Sequence, residues 1–376
     1  MQYRPFGKLD FQVSALGFGA MRLPLKGTND AGINKAQTLE MIHYAIDQGV
    51  NYLDTAYSYH NGKSEIVVGK ALKGGYRQKV KVATKLPVWL VNTIQDMDHY
   101  LDEQLKKLDI DHIDFYLFHA LDKDRWAKLE QLEALSWAEK AIQKGKIGQI
   151  GFSFHDDRET FKKIIDAYPW TFCQIQYNYL DINRQAGQFG LQYAAQKGIA
   201  VVIMEPLRGG RLANPPEEVQ RIFDEAPVKR SPAAWALLWL WNQKEIATVL
   251  SGMSDLQQVR ENIEIASSSG VGLLSPEELK IIDKAREAFE SLPSINCNMC
   301  KYCLPCSNGV NIPRNFELYN NAFQGGAFED ARRKYLVLPE EEKASSCLRC
   351  GDCESLCPQA LPIPELLEKV AQAFEK

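Results

Sequence analysis

The sequence predicts an α/β protein, a (β/α)8 TIM barrel followed by a small C-terminal α-helical domain. Between residues 15 and about 265, eight short runs of β-branched and aromatic residues alternate with segments that have apolar residues every three to four positions. Eight such units in roughly 250 residues is the length typical of a TIM barrel. Eight of the nine cysteines lie after residue 296, outside these units. We therefore expect a barrel of residues 1–285 and a cysteine-rich domain of residues 286–376.

The eight predicted strands are bounded by turn residues and separated by helical patterns. They are residues 15–21, 51–54, 81–86, 113–119, 147–153, 172–178, 200–205 and 248–251. Residues 34–48 and 93–108 are examples of segments whose apolar spacing predicts covering helices. An open doubly wound sheet is the alternative architecture, but no G-x-G-x-x-G sequence opens a helix after a strand.

Three further elements are predicted around the barrel. Residues 3–6 and 11–13 flank a turn and predict a hairpin that closes the N-terminal end of the barrel. A helix over about residues 276–291 should follow the last barrel unit. The segment between the two cysteine groups has helical periodicity and should break at Gly325-Gly326 and at Pro339.

Composition and charge exclude several classes of protein. Hydrophobic residues make up 45% of the chain and charged residues 24%, near the averages for folded proteins, so a disordered or fibrous chain is not expected. The net charge of -4 argues against a nucleic-acid partner and against an anionic membrane surface. The most apolar stretch, residues 232–241, is too short to span a bilayer, and residues 1–10 lack the features of a signal peptide. A cytoplasmic location is therefore expected.

The second cysteine group has the spacing of iron-sulfur ligands. Cys347, Cys350, Cys353 and Cys357, followed by Pro358, match the C-x2-C-x2-C-x3-C-P run of bacterial ferredoxins. In such a run three thiolates bind one cluster and the fourth binds a neighbouring cluster. The group therefore predicts a 4Fe-4S cluster with a second cluster nearby.

The first cysteine group, Cys297, Cys300, Cys303 and Cys306, has two residues between each pair. The sequence Asn-Gly-Val-Asn-Ile-Pro after it parallels Gln-Ala-Leu-Pro-Ile-Pro after the second group, which indicates a duplicated half. Two 4Fe-4S clusters are therefore predicted. Four-cysteine zinc sites are the alternative, since C-x2-C pairs also bind zinc. The ninth cysteine, Cys173, lies in an apolar segment and is predicted to be a buried core thiol.

Polar residues lie at the ends of three consecutive predicted strands. They are Asp54, Lys85 and His119. In a TIM barrel these ends meet at the C-terminal face, where active sites form. Tyr59 follows five residues after Asp54, in a loop that can reach back over the barrel mouth.

An acid, a base, a phenol and an imidazole at one place suit carbonyl reduction by hydride. A phenol in water has a pKa of about 10, roughly three units above the range of a ready proton donor at neutral pH. A lysine ammonium beside it lowers that value. In this interpretation Asp54 holds Lys85, and Lys85 tunes Tyr59 for proton donation. His119 would hydrogen-bond the carbonyl oxygen.

Longer strings around these residues resemble the aldo/keto reductase family over nearly all of residues 1–285. The strings are Asp54-Thr55-Ala56-Tyr57-Ser58-Tyr59, Gly62-Lys63-Ser64-Glu65, Ala83-Thr84-Lys85, Tyr116-Leu117-Phe118-His119 and Gly151-Phe152-Ser153. The resemblance implies a catalytic tetrad of Asp54, Tyr59, Lys85 and His119. It also implies that Tyr59 is the general acid for hydride delivered from NADPH or NADH.

The same resemblance implies contacts to the nicotinamide. Ser153 and Gln174 stand where the family holds the carboxamide group, and His155 substitutes for an asparagine that many members have after the serine. Met204 stands in the position of the aromatic side chain that usually stacks on the nicotinamide ring.

The remaining implied cofactor contacts lie near the pyrophosphate and the 2'-phosphate position. Arg208 is a candidate contact to the pyrophosphate, and Asn262 is a further candidate cofactor contact after the eighth predicted strand. Gly252 and Gln258 stand where strict NADPH enzymes have Lys and Arg. The choice between NADPH and NADH therefore stays open.

The cysteine region resembles the two-cluster α-helical ferredoxin modules that occur inside larger oxidoreductases. This resemblance implies that the ligand sets cross between the two groups. One cluster would take Cys297, Cys300, Cys303 and Cys357, and the other Cys306, Cys347, Cys350 and Cys353.

Three functions from different classes fit these features. The first is an oxidoreductase that reduces a small carbonyl substrate, or oxidises an alcohol, and whose clusters are structural or exchange electrons with an electron-transfer protein. The second is a redox enzyme whose barrel binds a flavin that the clusters supply with single electrons. The third is a binding protein that senses nicotinamide or redox state. The complete tetrad favours the first over the third, because a sensor does not need a proton donor. Met204 and Phe154, which depart from the family pattern, keep the second function open.

Overall fold

The strands of the computed structural model, which describes residues 1–27, 32–324 and 328–375, follow the order that the sequence predicts. They are β1 (Tyr3–Pro5), β2 (Gln12–Ser14), β3 (Leu16–Gly19), β4 (Tyr52–Asp54), β5 (Lys81–Leu86), β6 (Ile113–Leu121), β7 (Ile147–Phe154), β8 (Phe172–Gln176), β9 (Ala200–Met204) and β10 (Ile246–Ser251). The last eight form a closed parallel barrel in chain order, in which β10 pairs with both β9 and β3. The predicted TIM barrel is therefore confirmed.

Helices connect the barrel strands and continue into the cysteine region. They are α1 (Lys35–Asp47), α2 (Ser64–Ala71), α3 (Ile94–Leu108), α4 (Lys123–Gln131), α5 (Ala134–Gln143), α6 (Arg158–Ala167), α7 (Gly187–Gln196), α8 (Glu217–Asp224), α9 (Pro232–Trp241), α10 (Leu256–Ser267), α11 (Pro276–Ser291), α12 (Ile312–Gln324), α13 (Phe328–Leu336), α14 (Asp352–Ser355) and α15 (Ile363–Phe374). Side-chain caps determine where several of them begin. Thr93 and Asp96, for example, form a reciprocal capping box at the start of α3.

The chain divides into two units. One is Met1–Pro206 with Ala234–Ser275, and the other is Leu207–Ala233 with Pro276–Lys376. The first unit holds the barrel, and the second holds α11 to α15. The predicted boundary at residue 285 falls inside α11 and stays a prediction.

The predicted hairpin closes one end of the barrel. β1 and β2 pair antiparallel, and Phe6, in the turn between them, is fully buried. Its ring lies 4.7 Å from that of Phe115 and 5.7 Å from that of Phe172, two residues on barrel strands. The hairpin thus supplies the apolar floor of the barrel and leaves the opposite, C-terminal end of the strands open for polar side chains.

The second unit has an apolar core of its own. α12 and α15 each begin at a buried isoleucine, Ile312 and Ile363, and Phe316, Tyr335 and Phe374 pack into the same cluster. Six of the eight clustered cysteines are half-buried against this core. The predicted break at Gly325-Gly326 lies outside the described residues, and α13 ends before Pro339 as predicted.

Among the residues that the structure describes, none belongs to a helix with enough length and apolar character to cross a membrane.

Candidate functional site

The structure brings the four residues of the predicted tetrad together at the C-terminal end of the barrel strands. Asp54 is the last residue of β4, Lys85 is the fifth residue of β5, and His119 lies near the end of β6. The register pairs Asp54 with Ala83 and Lys85 with Leu117, which sets the three strand ends side by side. All four side chains are buried, with relative exposures between 0% for Lys85 and 8% for Tyr59.

The ammonium group of Lys85 is the centre of the arrangement. Nζ lies 2.7 Å from Oδ1 and 2.8 Å from Oδ2 of Asp54, and it donates to the backbone carbonyl of Thr55 at 2.7 Å. The hydroxyl of Tyr59 lies 3.5 Å from the same nitrogen. Burial lowers the pKa of Lys85, and the charge of Asp54 opposes that shift. Burial in turn raises the pKa of Asp54, and Lys85 opposes it. Each charge therefore stabilises the other where water is excluded.

A strained turn aims Tyr59 into the site. His60, Asn61 and Gly62, directly after it, all have left-handed backbone angles, with φ of 52°, 53° and 78°. Such angles are uncommon for residues other than glycine and often occur at functional sites. The carbonyl of Tyr59 accepts from the amides of Gly62 and Ser64 at 3.2 Å each, which holds the turn against the start of α2.

His119 lies beside the phenol and remains uncharged. Its ring centroid is 6.1 Å from that of Tyr59 and 5.1 Å from that of Trp89, so aromatic groups enclose it. Burial lowers the pKa of His119 well below its ordinary value, and the charge of Lys85 contributes to the same shift. A neutral imidazole can donate one hydrogen bond to a carbonyl oxygen without adding a charge.

This shift predicts a loss of stability in mild acid. An unfolded histidine takes up a proton below a pH of about 6.5, whereas His119 stays neutral in the fold, so falling pH favours the unfolded chain by up to about 1.4 kcal/mol per pH unit for one group. His155, whose pKa burial lowers to about 4, adds to the slope over the same range. Denaturant unfolding at several pH values between 7 and 5 should show the decline, and a His119→Gln variant should show a shallower one. Equal slopes in parent and variant would contradict the assignment.

Ser153 and Gln174 lie next to each other on β7 and β8, where their Cα atoms are register partners. Both are buried, and the hydroxyl of Ser153 accepts from the amide of Ala120 at 2.7 Å. Among the described residues, Oε1 of Gln174 has no hydrogen-bond partner although it is buried. A buried acceptor without a donor is uncommon. It fits an amide NH2 group of a ligand, such as a nicotinamide carboxamide.

His155 directly follows β7, and Met204 lies at the end of β9. Nδ1 of His155 is 3.3 Å from Oε1 of Gln185, in the loop after β8. Met204 is the last residue of β9 and the register partner of Gln176. The tetrad thus occupies the ends of β4 to β6, and the predicted nicotinamide contacts occupy the ends of β7 to β9.

At the end of β10 the structure reveals a cation that sequence reasoning missed. A Cβ atom at Gly252 would lie 3.2 Å from Cβ and Cγ of Arg22, so the arginine stem fills the space of a side chain there. Nη2 of Arg22 lies 3.7 Å from Oε1 of Glu205, which follows β9 with φ of 55°. The two charged residues are 183 positions apart in the chain, and no spacing pattern could have connected them.

The other predicted cofactor residues differ in their placement. Asn262 is buried and donates to the hydroxyl of Ser251 at 3.0 Å, beside Gly252. Gln258 accepts from the amide of Ser254 at 2.9 Å and stabilises the start of α10. Arg208 is buried in a short 3-10 helix that belongs to the second unit.

The two cysteine groups have the same local backbone. The amide of Met299 donates to Sγ of Cys297 at 3.4 Å, and the amide of Arg349 donates to Sγ of Cys347 at 3.4 Å. Met299 and Arg349 are both left-handed, with φ of 59° and 56°, and so are the equivalent positions that follow the second cysteine of each group. The fourth cysteine of each group accepts at 3.0 Å from the amide three residues later, Gly309 or Ala360. This repeated geometry supports the interpretation of a duplicated half.

The thiols of the two groups approach each other across the halves. Burial raises the pKa of Cys300, and Cys297, Cys303 and Cys357 contribute as neighbouring thiols. Burial likewise raises the pKa of Cys353 to about 11, with contributions from Cys347, Cys306 and Cys350. The sulfur neighbours of each group therefore include the fourth cysteine of the other group. This is the arrangement that crossed ligation needs, and a bound cation would favour the thiolate form that burial disfavours.

The spacing of these thiols bears on the alternative of zinc. All nine cysteines are free of disulfides, and Cys173 is fully buried, as predicted. Over residues 1–27, 32–324 and 328–375, no three His, Cys, Asp or Glu side chains converge tightly enough to hold one metal ion. Metal analysis of the purified protein distinguishes a zinc site from an iron-sulfur cluster at these cysteines.

Comparison with known proteins gives results for both parts of the chain. The family model of the aldo/keto reductase family matches residues 15–287, and that of a 4Fe-4S dicluster domain matches residues 296–362. A probable aldo-keto reductase 1 of Glycine max is 27% identical over 322 residues, which cover 76% of this chain and 88% of that protein. The NADH-specific methylglyoxal reductase of Escherichia coli is 25% identical over 338 residues, 77% of this chain and 100% of that protein. Among solved structures, the holo form of an aldo-keto reductase from Bacillus halodurans is similar with a TM-score of 0.64 and 26% identity, over 76% of this chain and 96% of the other.

Proposed function

Because this chain belongs to the aldo/keto reductase family and has a 4Fe-4S domain, we propose that it reduces a small carbonyl compound with NADH or NADPH in its barrel and binds two 4Fe-4S clusters through its eight clustered cysteines. One observation carries the catalytic part of the proposal. It is the buried contact of Lys85 with Asp54 and with the hydroxyl of Tyr59, beside a neutral His119.

The chain's own residues handle the proton of the reaction. A bound reduced nicotinamide supplies the hydride that reaches the carbonyl carbon. Tyr59 donates the proton of its hydroxyl to the carbonyl oxygen, and Lys85, 3.5 Å away, stabilises the negative charge left on the phenol oxygen. Asp54 holds the lysine in place, and the neutral ring of His119 donates a hydrogen bond that orients the carbonyl. Proton return from water to Tyr59 completes the cycle, and the reverse sequence oxidises the alcohol.

The buried pair of Ser153 and Gln174 is proposed to hold the nicotinamide. The unpartnered Oε1 of Gln174 would accept from the carboxamide, and Ser153 still has its hydroxyl hydrogen to donate. Met204 and His155 would border the ring. For the phosphates and adenosine we propose Arg208, Gly252, Gln258 and Asn262.

The cysteines are proposed to bind the clusters in crossed sets. One set is Cys297, Cys300, Cys303 and Cys357, and the other is Cys306, Cys347, Cys350 and Cys353. The electrostatic influence of Cys357 on Cys300, and of Cys306 on Cys353, supports this pairing. Clusters bound by these thiolates would supply one-electron redox chemistry in the second unit, whereas hydride transfer moves two electrons at once. The clusters are therefore assigned to exchange with a one-electron protein partner and not to the hydride step itself.

Anaerobic purification followed by activity and metal analysis tests the proposal. The protein should contain about eight iron atoms with matching sulfide, four for each cluster, and should oxidise NADH or NADPH only when a carbonyl compound is added. Methylglyoxal, the substrate in the name of the similar Escherichia coli enzyme, is a suitable first compound. Zinc in place of iron would overturn the cluster assignment. No nucleotide oxidation with any of a panel of small aldehydes and ketones would overturn the catalytic one.

A further inference from the structure

A fully buried carboxylate lies behind the lysine of the candidate active site. Glu65, in the first turn of α2, has 0% exposure. Its Oε2 has no hydrogen-bond donor among the described residues, and the ammonium of Lys107 is 4.0 Å from it. Burying an ionisable group in this way is unfavourable unless nearby groups compensate. The proposed proton transfer does not use Glu65, so its position needs another reason.

The other oxygen of Glu65, Oε1, is hydrogen-bonded to the strand that carries Lys85. Oε1 accepts from the hydroxyl of Thr84 at 2.7 Å and from the side-chain amide of Gln104 at 2.6 Å. Side chains alternate between the two faces of a strand, so Thr84 points towards the helices when Lys85 points into the barrel mouth. Glu65 therefore holds β5 from outside, one residue before the lysine.

Gln104 connects Glu65 to the backbone of Lys85 by hydrogen bonds. Its Nε2 donates to the carbonyl of Lys85 at 3.0 Å as well as to Glu65. The hydroxyl of Tyr116 donates to Oε1 of Gln104 at 2.6 Å, which determines the orientation of the amide. With the amide so oriented, Nε2 donates both to Oε1 of Glu65 and to the carbonyl of Lys85, so the amide connects the carboxylate to the backbone of the lysine.

We propose that Glu65 is a positioning residue for Lys85: its carboxylate fixes β5 at Thr84 and Lys85 through Thr84 and Gln104, and it supplies a second negative charge to the ammonium group beside Asp54. The inference deepens the proposed function, since it rests on the role given there to Lys85. The sequence alone shows Glu65 only as one member of a string that resembles the family, and the inference gives this residue a specific role.

Several charged and titratable groups surround Glu65 and Lys85, and a control variant must separate their effects from that of Glu65. Lys107 and Glu103 on α3 face Glu65, with Lys107 Nζ 2.8 Å from Oε1 of Glu103. Facing Lys85 and Glu65 from the remaining elements are Asp54, Tyr57, Tyr59, Tyr116 and His119. Glu103 shares the same lysine partner as Glu65 but does not contact Thr84 or Gln104 in the hydrogen bonds described above, so Glu103→Gln is the matched control for Glu65→Gln.

Titration of Lys85 observed directly by NMR is the decisive test. In protein labelled with 15N-lysine, the Nζ signal of Lys85 is assigned by its loss in Lys85→Met. Glu65→Gln keeps an acceptor of the same shape and removes the negative charge. Because a nearby negative charge favours the protonated lysine, the titration of Lys85 should move to lower pH, by up to about one unit. Glu103→Gln should leave the titration in place. An unmoved titration in Glu65→Gln, or an equal move in Glu103→Gln, would overturn the electrostatic role.

Kinetics test the geometric role. Glu65→Gln should lower kcat by about threefold to tenfold with KM unchanged, because a displaced lysine affects the chemical step more than binding. The alkaline limb of the kcat profile should move down with the NMR titration. Thr84→Val removes one hydrogen bond and keeps every charge, so it should lower kcat without moving the titration, and it serves as the second variant if Glu65→Gln does not fold. Unchanged kcat in Thr84→Val would overturn the geometric role.

The two readouts separate this inference from its premise. A parent protein that reduces no carbonyl compound would defeat the proposed function, whereas the NMR titration would still report whether Glu65 controls Lys85. A lower melting temperature of Glu65→Gln with parental kcat and an unmoved titration would mean that Glu65 only stabilises the fold, which overturns the proposal.

Discussion

Replacing Tyr59 by phenylalanine should lower kcat for carbonyl reduction by about 10²- to 10⁴-fold, the usual contribution of a positioned general acid. The substitution removes one oxygen and leaves the ring that faces His119, so the packing of the site should persist. The hydroxyl that is removed lies 3.5 Å from Nζ of Lys85, the cation of the buried ion pair with Asp54. Stopped-flow measurement of NADH or NADPH oxidation gives kcat, and nucleotide fluorescence titration should give an unchanged dissociation constant.

Tyr57 provides the matched control for this experiment. It lies two residues before Tyr59, and its hydroxyl donates to Oε2 of Glu103 at 3.1 Å instead of contacting Lys85. The Tyr57→Phe variant should therefore keep kcat within about twofold of the parent. Full turnover in Tyr59→Phe, or an equal loss in both variants, would contradict the assignment of Tyr59 as the general acid.

Replacing Cys353 by alanine should remove one cluster and lower the iron content from about eight atoms per chain to about four. It should also destabilise the second unit, because metal binding and folding are coupled when ligands come from short loops on a small core. Cys353 lies half-buried against that core, so loss of its cluster would leave the remaining thiols there without the metal that holds them together. Iron and sulfide analysis with electron paramagnetic resonance of the reduced protein measures the loss, and thermal unfolding measures the destabilisation.

The same measurement tests crossed ligation. If the sets cross, Cys306→Ala should change the signal of the same cluster as Cys353→Ala, and Cys357→Ala should change the other. Cys173→Ala is the control, because this thiol is fully buried in the barrel, away from both groups in the chain, and should leave the iron content unchanged. If Cys306→Ala instead perturbs the cluster that Cys297 and Cys300 bind, each group ligates its own cluster and the crossed assignment is wrong.

The barrel was predictable because its information is local. Each barrel strand starts or ends within about two residues of its prediction, since runs of apolar β-formers and the turns that bound them determine strands over a few positions. The observed bounds differ from the predicted ones where pairing with a neighbouring strand lengthens the strand. β6 continues to Leu121 because Phe154 of β7 pairs with it, and β10 begins at Ile246 because Val201 of β9 pairs with it.

The candidate site was predictable only in part. The spacing of Asp54, Lys85 and His119 at successive strand ends predicted their convergence, because parallel neighbours bring such ends to one face. The choice of Tyr59 over Tyr57 depended on family resemblance, and the structure separates the two phenols by their partners, Lys85 and Glu103. The cofactor residues and the cysteine pairing stay predictions for the experiments above.

By itself, the sequence determined the order of the barrel units, the hairpin at its floor, the polar strand ends and the two cysteine groups, because each follows from residue types at fixed short spacing. Only the tertiary structure decided the contacts between distant segments. It placed Arg22 against Gly252, joined Glu65 to Gln104 behind Lys85, and set the thiols of one cysteine half beside those of the other. Such contacts depend on how helices and strands pack after they form, and the spacing of residues along the chain does not record that packing.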